Sequence, residues 1–269
     1  MIPTLAISAG VSLLFPASLY IWPGAFTANR DDVKTIIRNF ISVTLASIVS
    51  LIILSLTKQY FDTSETYSNV WWCLNPTEYT SLTSFFNFVI LYPLFHCFLL
   101  FLGPILMDII KVLPSRFLSK EENTSFYDEI DNVSLIRSVI VAPLTEEIMF
   151  RGVIIQVLNI HFTPRISILI SAIMFGLMHY HHSLKMCLLT RQFISQLFLI
   201  GTFQCLYTSF FGLYAGYAYL KSGHILTPII LHCFCNTLGL PDFKKIFLSS
   251  LYSVITIIGF CAWLYFLEF

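Results

Sequence analysis

Charged residues are scarce in this sequence. They make up 11% of its 269 residues, against about a quarter in soluble domains, while hydrophobic residues make up 57%. This balance excludes an ordinary soluble domain and places the chain among membrane proteins. Lys plus Arg and Asp plus Glu both number 15, so the formal net charge is zero. No surplus of positive charge therefore points to a nucleic-acid partner.

Several motifs of soluble enzymes and redox proteins are also missing. The seven cysteines contain no Cys-x-x-Cys pair, and most lie in apolar runs where a free thiol behaves as a small hydrophobic side chain. Neither Gly-x-Ser-x-Gly nor His-Glu-x-x-His occurs. A disulfide framework, a serine nucleophile elbow and the commonest zinc-protease motif are therefore not expected.

Long apolar runs dominate the chain instead. About 20 helical residues cross the hydrocarbon of a bilayer. Eight candidate segments are present: 3–22, 39–57, 84–110, 138–160, 166–180, 192–220, 225–240 and 246–267. The first has no Lys or Arg before its apolar run, so we expect a retained span and not a signal peptide. We predict an all-α polytopic membrane protein with about eight transmembrane helices, forming one integral membrane domain over residues 1–269.

Small residues at helix-packing spacing occur in two of these segments. They are Ala172 with Gly176, and Gly212 with Gly216. Such pairs let helix backbones approach closely in a membrane, so they predict packing and not chemistry.

The distribution of Lys and Arg predicts the orientation. Eleven of the fifteen lie in the first, third, fifth and seventh loops, and three lie in the even loops. The positive-inside rule therefore places the odd loops in the cytoplasm and both termini on the other side. The third loop, residues 114–137, is the main polar connection on that side.

Three charges interrupt the apolar segment at 138–160. They are Glu146, Glu147 and Arg151, and each would cost about 2.5–3.5 kcal/mol near the middle of a bilayer helix. Glu147 and Arg151 are four residues apart and can pair on one helix face. Glu146 has no such local partner, which makes it a candidate functional carboxylate. The alternative is that all three only hold helices together.

Further polar residues lie at a similar depth. Phe175-Gly-Leu-Met-His179 ends one segment, and His232 with Asn236 lies on one face of another. In the predicted topology Glu146, His179, His232 and Asn236 all fall in the cytoplasmic half of the membrane. The two residues after His179, His181 and His182, are expected to be exposed neighbours.

This set of side chains, one Glu, two His and one Asn, is suited to the hydrolysis of a peptide or amide bond. A carboxylate and an imidazole can deprotonate a water, while a second imidazole and an amide can donate hydrogen bonds to the oxyanion. Zinc held by Glu146, His179 and His232 is the alternative. Asn236 is a poor zinc ligand, so we expect no metal and no other cofactor.

These motifs together resemble the type II CAAX prenyl endopeptidases, the Ras-converting enzymes of the ABI/CPBP family of intramembrane proteases. The family pattern is Glu-Glu-x-x-x-Arg, Phe-x-x-x-His and His-x-x-x-Asn. Here it reads Glu146-Glu147-Ile-Met-Phe-Arg151, Phe175-Gly-Leu-Met-His179 and His232-Cys-Phe-Cys-Asn236. The matching region predicts a catalytic core at residues 139–240.

The resemblance implies a glutamate-type protease of the endoplasmic reticulum membrane that is open to the cytosol. Its partners would be farnesylated or geranylgeranylated proteins, such as small GTPases, from which it removes the C-terminal tripeptide. It assigns water activation to Glu146 and His179, the oxyanion site to His232 and Asn236, and support to Glu147, Arg151 and Phe175.

Two alternatives remain open at this point. Relatives with the same motifs act on substrates that carry no prenyl group. A membrane scaffold or transporter could also use buried Glu and His, although a transporter is expected to show inverted repeats and broken helices in both halves.

Overall fold

The computed structural model describes residues 1–61, 81–107, 109–110, 132–190, 194–239, 246 and 249–267. Over these residues the chain is helical and has no β-strand, which confirms the all-α prediction. The helices are α1 (Ile2–Leu19), α2 (Val33–Tyr60), α3 (Leu82–Leu100), α4 (residues 132–159), α5 (Pro164–Met178), α6 (Tyr180–Thr190), α7 (Ile194–Ser222), α8 (Leu226–Leu238) and α9 (Ser250–Leu267). Residues 102–107 add a short helical stretch after α3. Most of the polar loop predicted at 114–137 lies outside the described residues.

Five of these helices are long and apolar enough to cross a membrane. They are α1, α2, α3, the Phe198–Ser222 part of α7, and α9. Helices α5 and α8 have 15 and 13 residues, which is short of the ~20 that a perpendicular span needs. The described helices thus belong to a multi-pass membrane protein, and the number of eight spans stays a prediction.

Helix α4, which carries the three buried charges, is continuous but irregular. Its backbone opens into wider π-type turns at Arg137–Val141 and at Ile148–Ile155. The first of these precedes Pro143, which has no N–H to donate and whose ring crowds the carbonyl four residues earlier. Helix α3 has the same arrangement before Pro93. The second wide stretch starts directly after Glu147 and changes the directions of the side chains that follow.

Helices α5 and α7 pack with their backbones close together. A Cβ atom added to Gly212 would lie 3.0 Å from the Cα of Ala172, and one added to Gly176 would overlap the atoms of α7. Gly216 faces α5 in the same way. The packing predicted from the small-residue pairs is confirmed, and it fixes the end of α5 beside the site described below.

Helix α1 is an integral part of this bundle. Its Val11 and Phe15 are buried in one apolar cluster with Met149, Phe150 and Val153 of α4. In lipid such clusters are held by close van der Waals packing more than by exclusion of water. That α1 is a retained span stays a prediction.

Cationic side chains connect neighbouring segments at each end of the bundle. At one end Arg137 pairs with Asp31 at 3.0 Å, and Lys185 Nζ lies 3.1 Å from a carbonyl oxygen of the same α1–α2 segment. At the other end Lys58 Nζ donates to Gln156 Oε1 at 2.7 Å. The first, third and fifth loops therefore share one end, as the Lys and Arg pattern predicted. That this end faces the cytosol stays a prediction.

Candidate active site

Glu147 lies at the centre of a buried polar cluster between α4 and α8. Its Oε1 accepts hydrogen bonds from Arg151 Nη1 at 2.9 Å and from His232 Nδ1 at 2.7 Å. The Glu147 and Arg151 side chains are 0% and 1% exposed. The pair expected from their spacing is present, and it also holds a histidine from a distant helix. Removing one partner of such a buried pair leaves an uncompensated charge, which costs several kcal/mol.

Glu146 faces the same histidine from the preceding position of α4. Its Oε2 lies 3.9 Å from His232 Nε2, beyond hydrogen-bond distance. A water about 2.8 Å from each atom fits beside the line that joins them. The Glu146 residue is 9% exposed, so it points into the protein and the cavity and not into lipid.

The two histidines are held in defined tautomers. His179 Nδ1 lies 2.7 Å from the carbonyl oxygen of Phe175, and His232 Nδ1 lies 2.7 Å from Glu147 Oε1. Both oxygens only accept, so each Nδ1 carries the proton. In the neutral rings both Nε2 atoms are therefore free to accept a proton. His232 Nε2 can donate to an oxyanion only when the ring carries a second proton, a condition that the motif spacing did not reveal.

The ring of Phe175 packs between these groups. It is 1% exposed, and its centroid lies 4.7 Å from that of His179 and 6.0 Å from that of His232. The Arg151 guanidinium lies over its face at 4.5 Å. Phe175 therefore supports both histidines and supplies a cation–π partner for a buried Arg.

Asn236 lies one turn further along α8 and is more exposed than the other predicted site residues. Its Nδ2 donates to the carbonyl oxygen of Ser138 at 2.9 Å. That bond connects α8 to the start of the apolar part of α4 and occupies one of the two amide N–H groups. The second N–H remains as a donor for a ligand.

A single cavity of about 1320 Å³ connects these residues. Glu146, His179, His232 and Asn236 all line it, so the structure brings together the four side chains that the sequence selected. Arg30 also lines it, at the end of the bundle where the odd-numbered loops meet.

His181 and His182 line the same cavity and are partly buried. The prediction that they are exposed neighbours is therefore wrong. Helix α6 begins directly after His179 and folds back over the site, and His181 Nδ1 bonds to the Met178 carbonyl oxygen at 2.5 Å. The edge of the His181 ring also contacts Tyr20.

One feature of the site favours the zinc alternative and another disfavours it. A free Nε2 with a bonded Nδ1 is the arrangement that metal-binding histidines have. Across the part of the chain that the structure describes, however, no three His, Cys, Asp or Glu side chains are grouped to hold one ion. A metal-free site stays our prediction.

The sequence reasoning missed one central contact. It assigned Glu147 to Arg151 alone, whereas the structure adds His232, which is 85 residues away. It also missed Phe211, whose ring centroid lies 4.7 Å from that of His232. No local spacing relates these residues, because the contacts depend on how α7 and α8 pack against α4.

Comparison with known proteins identifies related sequences. Residues 130–238 match the family described as type II CAAX prenyl endopeptidase Rce1-like. Human CAAX prenyl protease 2 is 27% identical over 237 residues, which cover 84% of this chain and 68% of the human protein. The Caenorhabditis elegans protein of that name is 28% identical over 250 residues, covering 88% and 85%. That of Arabidopsis thaliana is 30% identical over 167 residues, covering 56% and 54%. The chain matches no solved structure.

The matched segment contains all three motifs found in the sequence. It begins just before α4 and ends at the last residue of α8, so it includes Glu146, His179, His232 and Asn236. The family resemblance predicted from these residues is thereby confirmed.

Proposed function

We propose, from the relationship of this chain to the type II CAAX prenyl endopeptidases, that it is an intramembrane endopeptidase that removes the last three residues of prenylated proteins ending in Cys-a-a-X. One observation carries the proposal: Glu146 and His232 Nε2 lie 3.9 Å apart in a cavity that His179 also lines. A carboxylate and an imidazole at this distance, with a second imidazole lining the same cavity, are the components of water-dependent peptide hydrolysis.

Glu146 and His179 activate the water in this mechanism. The Glu146 carboxylate takes one proton while the water oxygen attacks the scissile carbonyl carbon. His179 Nε2 accepts a hydrogen bond from the same water, because its Nδ1–H is fixed on Phe175. When the tetrahedral intermediate collapses, the C–N bond breaks and Glu146 returns its proton to the departing amide nitrogen.

His232 and Asn236 stabilise the oxyanion. His232 donates from Nε2 as an imidazolium, whose charge is balanced by Glu147 at Nδ1. With His232 charged, Glu146, Glu147, Arg151 and His232 sum to zero net charge, which favours burial of the set. Asn236 donates with its remaining amide N–H.

The membrane selects the substrate. Each buried CH₂ of a prenyl chain contributes ~0.8 kcal/mol to partitioning, so the farnesyl or geranylgeranyl group holds the chain end of a protein such as a small GTPase at the bilayer. The peptide then enters the cavity from the cytosolic end, where the basic loops lie. We place the protein in the endoplasmic reticulum membrane because it resembles the Ras-converting enzymes.

The test compares two peptides that differ only in the prenyl group. Membranes containing this protein are incubated with a farnesylated Cys-a-a-X peptide or its unprenylated twin, and the released tripeptide is measured by mass spectrometry. We expect release from the farnesylated peptide alone. Equal cleavage of both would favour a family protease with unprenylated substrates, and cleavage of neither would favour a scaffold or transporter.

A further inference from the structure

An arginine at the mouth of the cavity has a guanidinium without a protein partner. Arg30 lies in the segment between α1 and α2 and lines the cavity that contains Glu146. Within the described part of the chain, its own contact is made by its backbone carbonyl, and no group lies within hydrogen-bond distance of its guanidinium. An Arg side chain offers five N–H donors in a planar fork.

The segment that carries Arg30 is held in place by two other cations. Arg137 Nη1 donates to the Arg30 carbonyl oxygen at 2.7 Å, and its Nη2 lies 3.0 Å from Asp31. Lys185 Nζ lies 3.2 Å and 3.1 Å from the carbonyl oxygens of Ala25 and Ala28. Arg30 is thus fixed through its backbone while its side chain stays available.

The charge at the mouth is positive. Asp31 is paired with Arg137, which leaves Arg30 and Lys185 without an acid partner among the described residues. The pKa of Arg30 is lowered overall, mainly by partial burial and also by the charge of Arg137. The charges of Asp31 and Glu146 act in the opposite direction. Even so, a guanidinium stays protonated at any physiological pH, so this end of the cavity favours an anion.

We propose that Arg30 binds the free α-carboxylate at the C-terminus of the substrate and thereby sets the length of the released fragment. This inference rests on the proposed function. A guanidinium and a carboxylate form two parallel hydrogen bonds, and in a Cys-a-a-X substrate the free carboxylate enters the cavity with the scissile bond.

The spacing fits a tripeptide. Three extended residues span about 10 Å. Arg137, which holds the backbone of Arg30, precedes Glu146 by nine residues on α4. That is at most about 14 Å at 1.5 Å per residue, because the π-type turns at the start of α4 rise less. The long Arg30 side chain extends from that level into the cavity. A carboxylate bound there therefore places the third peptide bond from the end near Glu146.

The test uses farnesylated peptides that end in a free carboxylate or in a carboxamide. We expect wild-type protein to cleave the acid about 10- to 100-fold more efficiently, the range for a hydrogen bond between charged groups. Arg30→Met should cleave the free-carboxylate peptide as slowly as wild type cleaves the carboxamide peptide. Its rate on the carboxamide peptide should equal that of wild type. Arg30→Lys should keep part of the preference. The amide rate reports whether each variant is folded.

A matched control removes a charge outside the cavity. Lys34 is exposed and does not line the cavity, so Lys34→Met should keep the full preference for the acid. Equal cleavage of the carboxylate and carboxamide peptides by wild type would overturn the proposal for Arg30 and leave the proposed function standing. Full preference for the carboxylate peptide in Arg30→Met would do the same. Cleavage of neither peptide by wild type would end the proposed function as well.

Discussion

His232 Nδ1 lies 2.7 Å from Glu147 Oε1, a hydrogen bond that joins α8 to α4 across 85 residues of sequence. It fixes the tautomer of the histidine and aims Nε2 at the Glu146 carboxylate, 3.9 Å away. The second acid of the Glu-Glu pair is therefore a positioning residue in our account, and the first is the base.

Glu147→Gln tests the positioning role. The amide oxygen still accepts from His232 but no longer balances the charge of its imidazolium form, so we expect a large loss of activity. Arg151 also loses its charge partner in a buried site, so we expect about 3–5 kcal/mol lower stability. Tripeptide release measures the first effect and thermal unfolding in detergent the second. Adding Arg151→Met should recover stability without recovering activity. Recovery of both would mean that Glu147 serves only to neutralise Arg151.

Phe175→Ala should damage both stability and turnover. Its ring fills the space between Arg151, His179 and His232, and removing a buried Phe side chain costs about 3–5 kcal/mol. The same truncation at Phe198, whose side chain is 67% exposed, should leave unfolding and peptide cleavage unchanged. Similar losses in both variants would show that the position of Phe175 is not special.

Two glycine substitutions distinguish close packing from helix propensity. Gly176→Ala places a methyl group inside α7, so we expect about 1–3 kcal/mol of destabilisation. Gly10→Ala has nothing within 4 Å of the new Cβ and should gain about 0.5–1 kcal/mol from helix propensity. Unfolding measured in one detergent compares them directly, and equal shifts in the same direction would contradict the close contact of α5 with α7.

Strong chelation should leave turnover intact, because the account uses no metal. The check is tripeptide release after dialysis against a chelator, with metal content determined on the same sample. Loss of activity that only zinc restores would instead favour Glu146, His179 and His232 as ligands of a metal site.

Some contacts of the fold and the site could be predicted from the sequence and others could not. The Glu147–Arg151 pair was predictable because helix geometry sets contacts between residues four apart. The packing of Gly212 on Ala172 was predictable because small residues at that spacing have few other uses in membrane helices. The bond from His232 to Glu147 was not, since it depends on the angle between α4 and α8.

His181 and His182 show a second limit of prediction from sequence. His181 and His182 follow the end of an apolar segment, a pattern typical of exposed residues, yet both line the cavity. Their burial results from α6 folding back against α7, and no periodicity within the segment encodes that turn. The free guanidinium of Arg30 was missed for the same reason, because the segment that carries it comes to line the cavity only in the folded bundle.

The most direct test of the account is the rate of tripeptide release by Glu146→Gln under single-turnover conditions with a farnesylated peptide. Loss of a general base predicts a fall of about 100- to 10,000-fold, and thermal unfolding of the same sample shows whether the variant is folded. Asp32→Asn, the same chemical change at a residue that caps α2 outside the cavity, should match wild type. Wild-type release by Glu146→Gln would contradict the account.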